Sequence, residues 1–350
     1  MDADKIILAD YDINDTLNYV SKYTKEQVKK KRTHYVYKEY LESWTTGSCL
    51  WYLERGKDPE PRNPQSIAVK RSFYAPTDLT VHDLDFIKKY FLVKFHREAK
   101  LLAEVVLSEM MEMMMHKLVL TNSPQKYPKD ERQLEKHIHN YIENYHEKVE
   151  TLGLPHLQSL KSLDMEFWDK DDCRENFIYF LAIQYWRTLH MSEQYSDNLK
   201  PIMAQRVSED KPELVKYGEM LADYTTKVWC LLSAFLASSY AFDLMDDCDN
   251  INLTLLQNGS AIPFITGDQP VVNLRYDYSE VRKCKDLEWY YPISPIIAII
   301  FTYAIEPSYS GVLKEDDVKK LNDAIASASQ KQLYANNQEI LESYKSEKGR

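Results

Sequence analysis

Apolar residues recur at three- and four-residue spacing through the middle of this chain. The spacing predicts helices over Asp83–Phe91, His96–Leu120, Glu131–Leu152, Asp171–Ser192 and Pro212–Asp243. The acids Asp171-Asp172 suit the positive end of the fourth of these. On both sides of the helical block the runs shorten. Upstream, Lys22–Lys31 is polar and helix-friendly, and Tyr40, Leu41 and Trp44 keep helical spacing. The turn Thr45-Thr46-Gly47-Ser48 leads into a predicted strand at Cys49–Glu54, and Ile67–Tyr74, beyond a proline-bearing loop, is its expected partner. Downstream, Asn252–Leu256 and Ile262–Thr266 flank Asn258-Gly259 and read as a tight hairpin. Pro270–Leu274 and Leu287–Tyr291 are further strand candidates, Ile296–Ile305 reads as a buried helix, and Lys314–Tyr344 as an amphipathic one.

With strands at both ends and helices between them, the economical architecture is α+β, mostly α. A helical block packs on a small antiparallel sheet built from N-terminal and C-terminal strands. The chain divides into a helical lead-in over residues 1–32, one α+β domain over 33–312, and a C-terminal amphipathic helix over 313–350 packed on it. Only 8 glycines in 350 residues speak against glycine-rich phosphate loops, and 26 tyrosines suit half-buried walls and binding surfaces. A formal net charge of −10 argues against a surface coated for duplex binding and leaves room for a local basic groove. The run Lys29–Arg32 could attract phosphate, or simply form a solvated helix face. Five scattered cysteines without a CxxC signal neither a zinc cluster nor a disulfide framework, so reduced thiols in the cytoplasm are expected. Neither Trp229–Phe242 nor Ile296–Ile305 reaches the roughly 18 apolar residues of a membrane span, so no membrane partner is expected.

Three places could carry chemistry. On the fourth helix Phe177, Leu181, Gln184 and Thr188 share one stripe, with Arg187 beside it and Tyr185 in the same segment. An amide, a guanidinium and a hydroxyl on an apolar face need acceptors or a ligand. Arg187 would then grip an anion, or else pair with a structural carboxylate while Gln184 holds a loop. In Ile262–Val272 a short strand ends at Gly267, and Asp268 and Gln269 follow before Pro270. Asp268 is either a presented acid or the cap of an Asx-turn. His34, behind the basic run, is either a proton carrier or a hydrogen-bonded core residue. Glu143-x-x-His146 with His139 puts three metal-ligand types on one helical face, but a second Glu-x-x-His helix is missing and no metal is expected. The methionine-rich Glu109–His116 run is read as core packing. The Asp243–Asp249 acids lack a calcium-loop pattern.

Four segments in order, Thr33-His34-Tyr35-Val36 with Tyr40-Leu41 and Trp44, Gln184–Thr188, Phe264–Val271, and Tyr290–Pro295, resemble the family catalogued as domain of unknown function 4238. The likeness spans about residues 33 to 305. Many members carry His-His where this chain has Thr33-His34, and Leu where it has Ile293. The resemblance implies a bacterial accessory-genome protein with a defence or toxin role, and it brings no reaction with it. The expectation that follows is a cytoplasmic, hydrolase-like effector. His34 and Asp268 would be its acid–base pair, and Gln184, Tyr185, Arg187, Thr188 and Gln269 its substrate contacts. It would act on RNA or a nucleotide without a cofactor. The alternative is a non-catalytic sensor of a small ligand or a protein partner.

Overall fold

In chain order the helices are α1 (Ile13–Tyr23), α2 (Lys38–Leu41), α3 (Val81–Tyr90), α4 (Arg97–Asn122), α5 (Pro128–Lys161), α6 (Asp171–Trp186), α7 (Val215–Met245), α8 (Glu315–Ala328) and α9 (Gln338–Glu342). The strands are β1 (Arg32–His34), β2 (Leu50–Glu54), β3 (Glu60–Arg62), β4 (Val69–Arg71), β5 (Ile251–Asn258), β6 (Thr266–Gly267), β7 (Val272–Asn273), β8 (Leu287–Pro292), β9 (Ile297–Tyr303), β10 (Gly311–Leu313) and β11 (Gln332–Ala335). The computed structural model describes residues 12–24, 26–76, 78–92, 95–194, 215–276 and 286–345, with side chains from 224 onward in the segment that begins at 215. The architecture is α+β and mostly helical.

Helices α4 to α7 form the block that the periodicity predicted. Helix α5 runs past the expected stop at Leu152, through Gly153 and Pro155. A side chain at Gly153 would meet the Phe180 ring at 2.3 Å, so the glycine lets α6 close onto α5 and does not cap a helix. Helix α6 stops earlier than expected, at Trp186. The chain turns at Arg187-Thr188 and becomes helical again at residue 189. The lead-in also departs from expectation, because α1 ends at Tyr23 and residues 26–31 have no helical structure. Helix α7 contains Tyr224–Met245, a stretch long and apolar enough to cross a membrane by length and composition, and most of it is buried inside the fold.

Among the described residues the strands build three sheets, where one was expected. One has five strands in the order β10-β5-β9-β8-β7, one has four in the order β3-β2-β11-β6, and β1 pairs with β4 alone. The four-stranded sheet does join N-terminal and C-terminal strands, since β11 lies between β2 and β6, antiparallel to both. The details differ from the pattern-based expectation. Strand β2 pairs with β3 inside the proline loop, and β4, in the Ile67–Tyr74 segment, pairs with β1. No hairpin forms at Asn258-Gly259. Strand β5 instead pairs antiparallel with β9 and parallel with β10. The Asn258 side chain accepts Ser260 N–H at 2.9 Å, a local turn that leads away from the sheet.

Two larger corrections share one cause. Ile296–Ile305 is strand β9 and not a helix, and the C-terminal segment is α8, β11 and α9 in place of one amphipathic helix. In β8 and β9, Trp289, Tyr291, Ile297, Ile299 and Phe301 pack into the main helical core. Tyr290, Ala298 and Ile300 pack into a second core with Val318, Leu321 and Ile325 of α8. A strand covered on both faces loses polar alternation, and a short apolar run cannot by itself declare its period.

Candidate functional site

The four segments that carried the resemblance converge. Tyr40 Oη donates to the Pro292 carbonyl at 2.7 Å and lies 2.6 Å from Thr266 Oγ1, and Trp44 Nε1 donates to the Phe264 carbonyl at 3.2 Å. Thr188 Oγ1 donates to Gln269 Oε1, while Gln269 Nε2 donates to the carbonyls of Val271 at 2.8 Å and Tyr185 at 3.3 Å. The end of α6 is thereby bolted to the strand-and-turn segment around Asp268.

Arg187 sits at that helix end, 2% exposed. Its guanidinium pairs with Glu150 of α5 through Nη1 and donates to the His34 carbonyl through Nη2. Nε donates to Tyr74 Oη at 3.3 Å, and Tyr74 Oη donates back to the Arg187 carbonyl at 2.7 Å. Every nitrogen of the fork has a protein acceptor. Glu150 and Glu143 hold the guanidinium charged in spite of its burial. Burial pushes the Glu150 carboxyl up, and Arg187 opposes that shift.

Around this pair lie polar groups with nothing to bind. Glu143, His146 and Glu150 follow at i, i+3 and i+7 on one face of α5, and Gln184 lies one turn before Arg187 on α6. Both side-chain atoms of Gln184, both ring nitrogens of His146 and Glu143 Oε2 are buried without a hydrogen-bond partner. The Tyr291 hydroxyl, on β8, is another such group. His146 packs edge-on against Tyr74, with ring centroids 4.4 Å apart. Burial and the nearby Arg187 cation hold its imidazole neutral, far below the ordinary histidine range. Burial pushes the Glu143 carboxyl up to about 7, the Arg187 charge pulls against it, and Glu150 adds to it.

Asp268 has different partners, within the same network of segments. It is fully buried, and its Oδ1 accepts Gln330 N–H at 2.7 Å. Its Oδ2 accepts the N–H groups of Lys331 at 2.7 Å and Gln332 at 3.1 Å. Burial raises its carboxyl to about 6 against the pull of those three donors. Gly267 is needed beside it, because a Cβ there would meet Ser329 Oγ at 1.9 Å. His34 faces the Pro64 carbonyl, with Nε2 at 3.3 Å, and burial lowers its imidazole below the ordinary range.

Of the residues the sequence singled out, the structure joins Arg187 to His34 through main chain, places Gln184 next to Arg187, and ties Tyr185 and Thr188 to Gln269. Asp268 is instead occupied by the backbone of residues 330–332, and the His34 ring by Pro64. Glu150 and Tyr74 were missed. Helical spacing from Glu143 and His146 points to Glu150, but nothing in the sequence signals that Tyr74 stands opposite. Glu143 and His146, considered only as metal ligands, belong to the cluster. His139 Nε2 lies 3.0 Å from the Lys30 carbonyl, and among the described residues no three His, Cys, Asp or Glu side chains converge on a metal position. Cys49, Cys173, Cys230 and Cys248 are free thiols, and Cys284 lies outside the described residues.

The raised Glu143 carboxyl has a measurable consequence. A carboxyl with a raised folded-state pKa contributes stability that is complete below its unfolded value, near 4.5, and is lost as pH rises through about 7. Glu143→Gln removes that dependence. From pH 5 to pH 8 wild type is expected to lose roughly 2 kcal/mol of stability relative to the variant, allowing for the partly open side of the residue. Urea midpoints of both proteins at the two pH values measure it, and the contribution of the buried histidines cancels in the difference.

No curated protein and no solved structure matches the chain. A family model does: the one described as protein of unknown function (DUF4238) covers residues 32–339, nearly the whole chain and all four converging segments, and the chain belongs to that family.

Proposed function

We propose that the protein is a cytoplasmic sensor that binds a small neutral polar molecule at Glu143, His146 and Gln184, with Arg187 and Asp268 as framework. The observation that supports this reading is the set of five buried unpartnered atoms on α5 and α6, the two segments that the Glu150–Arg187 pair joins. Each such atom costs about 1–3 kcal/mol when nothing binds it, and folded proteins retain few of them. Gln184 offers a donor and an acceptor, and neutral His146 offers one of each. Glu143, whose carboxyl burial raises to about 7, offers a donor when protonated and an acceptor when ionised. Arg187 and Glu150 already balance one another, so a neutral ligand with adjacent donors and acceptors fits best. Carboxamides and nucleobase edges are of that class.

The test combines two measurements. Small molecules released on denaturing the natively purified protein are identified by mass spectrometry, and a panel of amides, nucleobases and nucleosides is screened by thermal shift. Gln184→Met supplies the control, since it keeps shape and removes the amide. It is expected to stabilise the ligand-free protein by about 1–2 kcal/mol and to abolish the shift. A wild type that releases nothing and shifts with no compound would overturn the sensor reading, as would a Gln184→Met protein that binds normally.

A hydrolytic role on RNA or nucleotides, in defence or toxin work, has one observation in its favour. Glu143 is a carboxyl beside Arg187 with an unpartnered oxygen and a pKa near neutrality, as a general acid or base requires. Cleavage of a nucleotide panel by wild type, reduced about 10²-fold or more in Glu143→Gln, would favour that reading over the sensor.

A further inference from the structure

Helix α4 lies against α5 and α7, and α6 lies against the same two, so the four helices enclose a shared interior. Ligand sites in helical bundles are built between facing helices of this kind. A cavity of about 190 Å³ opens here between α4, α5 and α7. Leu102 and Val106 of α4, Ile142 of α5, and Ala234 and Phe235 of α7 supply its apolar walls. Ile142, Ala234 and Phe235 are buried and mark its inner end, while the exposed Glu109 and Lys148 mark its mouth. Its lining includes none of Glu143, His146, Gln184 and Arg187, so the cavity is separate from the buried cluster and does not depend on what binds there.

A chain of hydroxyls with a fixed direction borders the cavity. Tyr145 of α5 and Ser238 of α7 both line it, and Tyr179 of α6 joins their hydroxyl groups. Ser238 Oγ donates to the Ala234 carbonyl at 2.8 Å, so it accepts from Tyr179 Oη at 2.6 Å. Tyr179 Oη in turn accepts from Tyr145 Oη. Every proton of the chain is thereby committed, and what remains at Tyr145 Oη is acceptor capacity. At the mouth Tyr141 Oη donates to Glu109 Oε2 and is left an acceptor as well. Glu109 and Lys148 place one charge of each sign there, which favours neither an anion nor a cation. An unfilled apolar space costs stability, and one larger side chain at Ala234 would close this one.

From this arrangement we infer that the cavity binds a neutral, single-ring aromatic molecule carrying one hydrogen-bond donor, of which phenol is the simplest. Size sets the class first. An apolar protein cavity of about 150 Å³ holds one benzene ring. The space between α4, α5 and α7 therefore takes a ring with a small substituent, and it is too small for a nucleoside or a long acyl chain. The rings of Tyr141, Tyr145 and Phe235 line it and offer edge-to-face contacts that an aliphatic ligand cannot use. The ligand's donor meets the acceptor left at Tyr145. A charged head group would instead shed its water among apolar walls without a counter-ion at the inner end.

Titration of the full-length protein with phenol, followed by ligand-observed NMR and by thermal shift, tests the inference. Phenol is expected to bind and to raise the melting temperature. Anisole keeps the ring and the oxygen but lacks the donor, and should bind roughly 5- to 10-fold more weakly, the worth of one hydrogen bond. Benzoate and benzylammonium should not bind. Ala234→Leu fills the inner end and should abolish phenol binding. Val106→Phe, on the partly exposed α4 wall, should do so from the opposite side, and it leaves α7 untouched should Ala234→Leu fail to fold. Tyr145→Phe should erase the preference for phenol over anisole while the ring still binds. A wild type that does not bind phenol would overturn the inference, as would phenol binding retained in folded Ala234→Leu or Val106→Phe. Anisole binding as tightly as phenol, or benzoate binding in its place, would overturn the ligand class.

Discussion

Arg187→Ala is expected to destabilise the protein by about 3–5 kcal/mol, the cost of stranding one charge of a buried pair. The variant leaves Glu150 buried without its cation, the His34 carbonyl without its donor and the Tyr74 hydroxyl without the Nε contact. Three separate segments, α5, β1 and the Tyr74 loop, lose their common anchor at once. Arg187→Lys should recover only part of the loss, since an ammonium keeps the charge but cannot span three acceptors in one plane. Arg187→Met combined with Glu150→Leu should recover most of it, because apolar groups of similar volume remove the desolvation cost along with the attraction. Denaturant midpoints for the three proteins check this. A single alanine variant as stable as wild type would show that the Arg187 anchor contributes nothing to the fold.

Asp268→Asn is expected to lower stability by about 2–4 kcal/mol, although asparagine is the usual benign exchange at a turn. In a solvent-facing Asx-turn one acceptor oxygen is enough. Here two oxygens accept three backbone N–H groups in a fully buried place. The asparagine amide must point its NH2 group at Gln330 N–H or at the N–H groups of Lys331 and Gln332. One or two buried donors are then unsatisfied, and a charged acceptor is lost as well. Urea titration of the variant measures the loss, and amide hydrogen exchange at residues 330–332 should rise with it. A variant with wild-type stability and unchanged exchange would mean that Asp268 does not hold the turn, and would return it to consideration as a reacting group.

The candidate site was legible in the sequence as residue types and not as partners. Gln184 and Arg187 stood out because a polar group on an apolar helix stripe must bind something, and that inference needs no structure. Their fates differ for a reason the stripe could not show. Arg187 meets Glu150 because Gly153 lets α6 close onto α5, and Gln184, one turn earlier, meets no acceptor. Asp268 stood out as an acid after a strand-ending glycine. The three donors that occupy it come from a segment more than sixty positions downstream, which the pattern assigned to the interior of a helix.

Local pattern therefore determined what each stretch could become when one of its faces met water. The helices α3 to α7, strand β2 and the α+β class follow from periodicity, because an element with one face toward water writes its period into the spacing of apolar residues. Tertiary structure alone decided the rest. Strand β9 is covered on both faces and so shows no period, and β3 and β10 are too short to carry one. Register and strand order, the opposition of Arg32 to Arg71 across β1 and β4 among them, depend on pairings between distant residues. Their free energy resides in neither partner alone, so no reading of a single stretch contains it.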